Sequence, residues 1–217
     1  MKSVFKFFTG TFKREIAIVL TVLTLILALP ALSVVVLASS GFSAASEVLA
    51  AVNPITHLVE IFGPNGEKVA EVELSTVWPV QGAVTDEFGT KAKWRQLLGL
   101  GGHTGIDISN GVDTPVTPFT EGTVLAVDNI DDSACGKSIK IDHGSHVVSQ
   151  YCHLNSAVEY PFGTPVGPGD VIGYVGNTGT STGPHLHFMV YVYGIPVNPR
   201  TFMVGEPLPS NNIVQEF

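Results

Sequence analysis

The chain has 217 residues, 45% of them hydrophobic, and a formal net charge of −8. This length suits one domain of ordinary size with appendages. From residue 39 onward the chain carries seven Lys or Arg against 18 Asp or Glu, and this acidic balance argues against nucleic acid as a partner because phosphate binding needs basic patches.

The first predicted element is a membrane segment. Ile16 to Ala38 form an uncharged run of 23 residues, "IAIVLTVLTLILALPALSVVVLA", which is long enough to cross a bilayer as a helix. Four basic residues and a single Glu precede it, and flanking positive charge keeps an N-terminus in the cytoplasm. We therefore predict a cytoplasmic N-terminus at 1–15, a transmembrane signal anchor at 16–38, and a single-pass protein whose remainder lies outside the cytoplasm, on the periplasmic or cell-wall side.

A cleaved signal peptide is the alternative interpretation of the same segment. Cleaved signals have apolar cores of about 7–15 residues, followed by small residues at the cleavage site. The apolar core here is longer, although "SSGFSAAS", Ser39 to Ser46, supplies the small residues. The length favours the anchor, and both interpretations export the rest of the chain.

Residues 39–77 are predicted to form a linker and a β-hairpin. "THLVEIF" and "EKVAEVELS" flank "GPNG", Gly63 to Gly66, which is a strong turn signal between two strand-like runs. The hairpin is too short to bury a core of its own. We expect it either to pack on the domain that follows or to form a stalk.

Residues 78–204 are predicted to form a mainly β domain, an antiparallel sheet or sandwich-like fold with an active-site groove. Short β-like runs alternate here with Gly, Pro, Asn and Asp, as in antiparallel sandwiches and partly open barrels. The runs are "GAVTDEFG", "TGIDIS", "GTVLAVD", "KSIKIDH", "HVVSQYCHL", "DVIGYVG" and "LHFMVYVYG". Only "KAKWRQLLG", Lys91 to Gly99, is predicted to be helical, and residues 205–217 are predicted to be a mobile tail.

The two cysteines, Cys135 and Cys152, both lie in the exported part, and an even pair in an oxidising compartment predicts a disulfide. The runs "KSIKID" and "HVVSQY" read as two strands of one hairpin. A two-residue loop that pairs Asp142 with Ser145 would place the two cysteines directly opposite each other, at a separation that suits a disulfide. The bond would tether the strand that carries His153.

Two histidines stand one residue apart in "GPHLHFMVY". Because side chains alternate between the two faces of a strand, His185 and His187 would share one face and Leu186 would point to the other. Two imidazoles side by side can be a structural accident or half of a metal site.

A second polar pattern is "GGHTGIDISNG". Its glycines argue against a helix, and its alternation predicts a strand with Asp107 pointing away from the two flanking isoleucines. Hydrolytic zinc sites use three protein ligands, typically His and carboxylate, and leave the fourth position to water. His103, Asp107 and one of His185 and His187 would make such a set. The remaining histidine of the pair and His153, in "YCHLNS", are candidates for proton transfer or oxyanion stabilisation.

The other histidines are predicted to have no functional role. His143 and His146 flank a tight turn, where we expect solvated side chains. His57 belongs to the hairpin at 39–77, outside the main domain, and is expected on the surface.

Taken in order and at their separations, "HTGID", "YCHL" and "GNTGTSTGPHLHF" resemble the lysostaphin-type (LytM-like) zinc metalloendopeptidases that act on peptidoglycan. The resemblance extends to "WPVQGAVTDEFG", "GTVLAV", "GDVIGYVGNTG" and "VNP", and covers about Trp78 to Met203. Residues 1–77 lie outside it. The combination of motifs is specific, whereas each motif alone is weak.

The resemblance implies a role for five residues. His103 and Asp107 match the HxxxD pair of zinc ligands, and His187 matches the third ligand. His185 and His153 match the two histidines that assist catalysis without binding Zn²⁺. All five residues are present, so nothing here resembles the inactive members of the family.

We therefore predict a membrane-anchored zinc metalloendopeptidase that hydrolyses peptide stems or cross-bridges of bacterial peptidoglycan. A non-catalytic cell-wall-binding or amidase-activating module on the same fold is the alternative, and the intact set of five residues argues against it. A D-Ala-D-Ala carboxypeptidase-type zinc enzyme would need a wider His-to-Asp spacing than the one seen here.

Overall fold

The structure, a computed structural model, describes Ser46 and the residues 48–75, 77–91, 93 and 101–208. Strands dominate this part of the chain, and all pairings between its numbered strands are antiparallel. The predicted mainly β fold is thus confirmed. Within the described residues, no helix is long and apolar enough to cross a bilayer. The predicted anchor at 16–38 lies outside these residues, as does most of the predicted helix at 91–99.

The hairpin predicted before the main domain belongs to a small three-stranded sheet, β1 (Ala50–Val52), β2 (Val59–Phe62) and β3 (Lys68–Val72). The turn between β2 and β3 lies at the predicted "GPNG", where the Gly63 amide donates to the Glu67 carbonyl at 2.8 Å. Val59 and Ile61 are fully buried, and Glu60 between them points to the other face. They join the same apolar cluster as the large sheet, so this piece packs on the main domain and is not a stalk.

The other ten strands form one large sheet with the central order β10-β7-β8-β9-β12-β5-β4. The bounds are β4 (Ala83–Asp86), β5 (Ile106–Ser109), β6 (Pro115–Val116), β7 (Gly122–Asp128), β8 (Lys137–Asp142), β9 (Val147–Ala157), β10 (Pro165–Val166), β11 (Gly173–Val175), β12 (His185–Val192) and β13 (Ile195–Val197). In addition, β11 pairs with β9 and β6, and β13 pairs with β12. All seven predicted runs are strands, whereas the two- and three-residue strands β6, β10 and β13 were not predicted.

One face of the large sheet holds the core. Leu186, Phe188 and Val190 of β12 are fully buried, as are Ile106 and Ile108 of β5. The residues between them point to the other face, because side chains alternate along a strand. This alternation leaves the second face of β5 and β12 available for polar side chains.

The β8–β9 register differs from the predicted one. Asp142 pairs with Val148 and not with Ser145, because the loop is longer than two residues and contains Gly144, Ser145 and His146, all at positive φ. The predicted disulfide between Cys135 and Cys152 is nevertheless present, with Cα atoms 5.1 Å apart. Cys135 precedes β8, in a turn closed by the Gly136 amide and the Ser133 carbonyl, and this turn brings its sulfur to β9.

The C-terminal part of the domain ends in a 3₁₀ helix, Pro199–Phe202. The backbone of Ser75 pairs with the residues on either side of Met203. Its amide donates to the Phe202 carbonyl and its carbonyl accepts from the Val204 amide, each at 2.8 Å. The predicted mobile tail is anchored at its start, because the Leu208 carbonyl accepts from the Gly82 amide at 3.0 Å. Residues 209–217 lie outside the described part of the chain.

Candidate metal centre

A row of polar side chains crosses the free face of the large sheet. Asp107 of β5 lies directly opposite His187 of β12, and His187 lies directly opposite Cys152 of β9. His185 shares the face of His187, as the alternation predicted. Gly105 allows this close packing, since a Cβ there would lie 2.3 Å from the Phe188 carbonyl oxygen.

His103 enters the site from the loop before β5. Its amide donates to the Thr90 carbonyl at 3.0 Å, and its carbonyl accepts from the Gly89 amide at 2.8 Å. Its ring Nδ1 donates to the Glu87 carbonyl at 3.0 Å. Because this bond uses Nδ1–H, the neutral ring presents an unprotonated Nε2, which lies 3.0 Å from Asp107 Oδ1. The ring is 3% exposed and is therefore fixed by protein contacts on all sides.

The three predicted metal ligands converge. His187 Nδ1 lies 2.7 Å from Asp107 Oδ1 and 3.0 Å from His103 Nε2. Two imidazoles and a carboxylate are common zinc ligands, and tetrahedral bond lengths place such ligand atoms about 3.3 Å apart. The donor set and its spacing thus fit a divalent metal ion, and these three residues form a group able to hold one.

The charges in this cluster hold the carboxylate in its ionised form. Burial acts to raise the pKa of Asp107, but its interactions with the rings of His103 and His187 outweigh burial and keep the pKa well below its usual range. Burial lowers the pKa of His187, which Asp107 opposes. A negatively charged carboxylate beside neutral imidazoles is the protonation state that binds a metal cation.

His153 reaches the same face through a β-bulge. In a regular strand His153 would point to the core, because Cys152 faces the metal ligands. Instead, His153 has a φ of 61°, and the β8–β9 register shifts by one beside it. Leu154, the next residue, is consequently in the core. The extra residue redirects the imidazole to the active face, a common use of bulges near active sites.

Both predicted catalytic histidines are oriented through Nδ1. His153 Nδ1 donates to the Thr178 carbonyl at 2.7 Å, and His185 Nδ1 donates to the Gly183 carbonyl at 2.8 Å. Their ring centroids are 4.8 Å apart, and His185 Nε2 lies 3.7 Å from Asp107 Oδ1. The two rings therefore present Nε2 as the nitrogen without a backbone partner.

The disulfide lies next to this arrangement. The amide of His153 donates to the Cys135 carbonyl at 2.8 Å, so the bonded cysteines hold the bulge from both sides. Burial, followed by the nearby His185, lowers the pKa of His153 to about 4. The imidazole is therefore neutral at pH 7 and able to accept a proton.

The structure brings together all five predicted site residues and corrects one prediction about the others. His143 is not a solvated turn residue, since Nδ1 bonds the Glu121 carbonyl and Nε2 bonds Ser149 Oγ, each at 2.7 Å. It borders a cavity of about 720 Å³ that does not include any of the five site residues. His57 and His146 are exposed, as expected.

A groove over the metal ligands stays a prediction, because residues 94–100, just before the loop of His103, lie outside the described part of the chain.

Comparison with known proteins agrees with this geometry. Residues 101–199 match peptidase family M23, and this segment contains all five site residues. The DD-carboxypeptidase/endopeptidase Mpg of Neisseria meningitidis is 39% identical over 113 residues, which are 52% of this chain and 24% of that protein. The peptidoglycan DD-endopeptidase ShyA of Vibrio cholerae is 38% identical over 96 residues, 44% of this chain and 22% of that protein.

A solved structure shares the fold. A zinc-containing peptidase from Vibrio cholerae aligns with a TM-score of 0.52 and 26% identity, over 69% of this chain and 47% of that one. The chain thus spans less than a quarter of the length of the two curated relatives, and the similarity lies in the peptidase segment. The resemblance to lysostaphin-type endopeptidases is confirmed for that segment.

Proposed function

We propose that this chain is a zinc metalloendopeptidase that hydrolyses peptide cross-links in bacterial peptidoglycan. The observation that carries the proposal is the convergence of His103, Asp107 and His187, with His153 and His185 beside them. One relative that matches this segment is named a DD-carboxypeptidase/endopeptidase and another a peptidoglycan DD-endopeptidase, which makes a bond between two D-centres the first candidate substrate.

His103 Nε2, Asp107 Oδ1 and His187 Nδ1 would hold the zinc ion. When bound, the zinc supplies a water whose pKa is lowered to near neutrality. His153 and His185, whose ring centroids are 4.8 Å apart, lie beside these ligands, and we assign them two tasks. One would accept the proton of the water and pass it to the leaving amine, and the other, when protonated on both ring nitrogens, would donate a hydrogen bond from Nε2 to the developing oxyanion.

Positioning of these imidazoles follows from their backbone partners. The Thr178 and Gly183 carbonyls retain the protons on Nδ1 of His153 and His185. Each Nε2 is therefore free to receive a proton without a change of tautomer. His153, whose pKa is about 4, enters the reaction as a neutral base at pH 7.

The test is digestion of purified peptidoglycans with different cross-link chemistries by the full-length protein, followed by mass spectrometry of the products. Direct cross-links between D-Ala and a diamino acid should be cut, and the two stem peptides should be released intact. The Asp107→Ala variant is the negative control. A wild-type protein that binds zinc but releases nothing from any peptidoglycan would instead support the non-catalytic binding or amidase-activating module.

We further propose that residues 16–38 anchor the enzyme in the cell membrane, with the peptidase domain outside the cytoplasm. The uncharged 23-residue run and the basic residues before it support this placement. The disulfide also suits an oxidising compartment. Reporter fusions after residue 50 should be active only outside the cytoplasm. Cytoplasmic reporter activity would contradict both the location and access to peptidoglycan.

A further inference from the structure

An ion-pair network lies behind the metal ligands, at the end of the domain. Arg200, in the 3₁₀ helix, donates from Nε and Nη2 to the Glu87 carboxylate at 2.9 and 2.7 Å. The same guanidinium bonds Glu206 at 2.8 and 3.0 Å and lies 5.5 Å from the Trp78 ring centroid. Each carboxylate is thus held by two hydrogen bonds, a geometry with more specificity than a single hydrogen bond gives.

Glu87 connects this network to the metal centre. Its side chain receives Arg200, while its backbone carbonyl accepts from Nδ1 of His103 at 3.0 Å. β4 ends at Asp86, so Glu87 begins an irregular segment. The conformation of that segment is fixed by side-chain contacts and by its bonds to His103 and not by a strand ladder.

From these contacts we infer that Arg200 is a positioning residue for the metal ligand His103. Through the Glu87 side chain, Arg200 fixes the carbonyl that holds the Nδ1 proton, and Nε2 of His103 is thereby directed at Asp107 and His187. The inference rests on the proposed function in one respect, that His103 binds the metal. Partners of this kind, behind a metal-bound histidine, typically change metal affinity 10–100-fold when they are removed.

Of the two carboxylates that Arg200 binds, only that of Glu87 belongs to a residue in contact with the metal ligand His103. Arg200 Nε and Nη2 hold the Glu87 side chain, and the Glu87 backbone carbonyl accepts from the ring of His103. The side chain of Glu206 is 70% exposed, and this residue belongs to the C-terminal segment. Removal of Arg200 should therefore loosen His103, while loss of the Glu206 charge should not. This contrast gives a matched control on the same guanidinium.

The experiment measures the zinc dissociation constant of the full-length protein by competition with a chromophoric chelator. Arg200→Met keeps an apolar stem over Trp78 and removes the donors, and Glu87→Ala keeps the backbone carbonyl and removes the acceptor. Each should weaken zinc binding by about 10–100-fold, and the double variant should be no weaker than the worse single variant, because both remove one interaction. Glu206→Gln should stay within about twofold of wild type, as exposed ion pairs contribute little.

Unchanged zinc affinity in a folded Arg200→Met protein would overturn the inference, as would an equal loss in Glu206→Gln. If Arg200→Met does not fold, Arg200→Lys takes its place, since it keeps the charge but lacks the fork, and it must weaken zinc binding in the same direction. A wild-type protein that binds no zinc would refute the proposed function itself, which separates the two failures.

Discussion

The two faces of the large sheet each have a polar cluster that contains histidine, and the clusters differ in how their hydrogen bonds are satisfied. On the core face, His143 Nε2 accepts from Ser149 Oγ, Ser149 lies 3.0 Å from the Tyr151 hydroxyl, and the Phe119 amide donates to that hydroxyl. When neutral His143 donates its Nδ1 proton to the Glu121 carbonyl, the side chains of this series of hydrogen bonds are all satisfied. His143, Ser149 and Tyr151 each donate one hydrogen bond and accept one. The cluster is complete without any ligand.

The cluster on the other face does not close in this way. His103 Nε2, His187 Nδ1 and Asp107 Oδ1 all lie within 3.0 Å of one another. The Nδ1 proton of His103 is already given to Glu87, so three acceptor atoms share at most one proton. A divalent cation satisfies all three at once. The difference teaches that a surplus of convergent acceptors, and not the presence of histidine, identifies the functional face.

The largest expected effect comes from the removal of one of the three convergent acceptors. His103→Ala, Asp107→Ala and His187→Ala should each abolish bound zinc and peptidase activity together, since three protein ligands are the minimum for such a site. Metal analysis and peptidoglycan digestion measure the two effects. His57→Ala, which changes an exposed histidine, is the control and should keep both. Full zinc content in any of the three variants would show that the ligand set is wrong.

The next largest effect concerns the two rings that share the active face without belonging to the ligand set. His153→Ala and His185→Ala should retain zinc but lower the turnover rate by about 10²–10⁴-fold, the range for lost acid–base or oxyanion assistance. The rate on a defined cross-linked muropeptide and the zinc content are measured on the same samples. The exposed His146→Ala should behave as wild type. Loss of metal, or an unchanged rate, would reject the assigned role.

The contribution of the disulfide to the unfolding free energy can be measured without changing the metal ligands beside it. The double substitution Cys135→Ser/Cys152→Ser opens a link across 17 residues and should lower the unfolding free energy by about 3 kcal/mol. Denaturant unfolding measures this loss, and a phosphine reductant should reproduce it in wild type without affecting the variant. Two free thiols in unreduced, denatured wild-type protein would contradict the bond.

The smallest expected effect concerns His143, in the cluster on the core face, and the pH dependence of the unfolding free energy. Burial lowers the pKa of His143 below its usual value, so the folded state disfavours its protonated form. Above about pH 6.5 this group is neutral in both states, and its contribution to stability falls as the pH drops toward the folded-state pKa. Between about pH 7.5 and 5.5, wild type should therefore lose unfolding free energy more steeply than His143→Gln. Equal slopes would mean that His143 titrates freely in the fold.

Local patterns predicted most of what depends on one strand. The shared face of His185 and His187, and the outward position of Asp107 between two buried isoleucines, follow from alternation alone. The turn at Gly63 to Gly66 follows from its composition. These features need no knowledge of what the strand contacts.

Features that depend on distant contacts were not predictable in the same way. The position of His153 depends on a bulge in the pairing of β8 with β9, and the predicted register failed at a loop with three residues at positive φ. His143 was misjudged because its partners come from the residue before β7, Glu121, and from β9, Ser149. The role of His153 came from the family resemblance, since spacing alone left it as one candidate.

The backbone bonds of Ser75 have a practical consequence for dissecting the chain. The segment before Trp78 is bound to the opposite end of the fold, since Ser75 bridges Phe202 and Val204 and Ser46 Oγ accepts from the Asn198 amide at 2.7 Å. A shortened protein that starts at residue 78 would leave the apolar surface under Val59 and Ile61 open to water and prone to aggregation. The smallest soluble unit should therefore start near Ser46 and extend through Leu208.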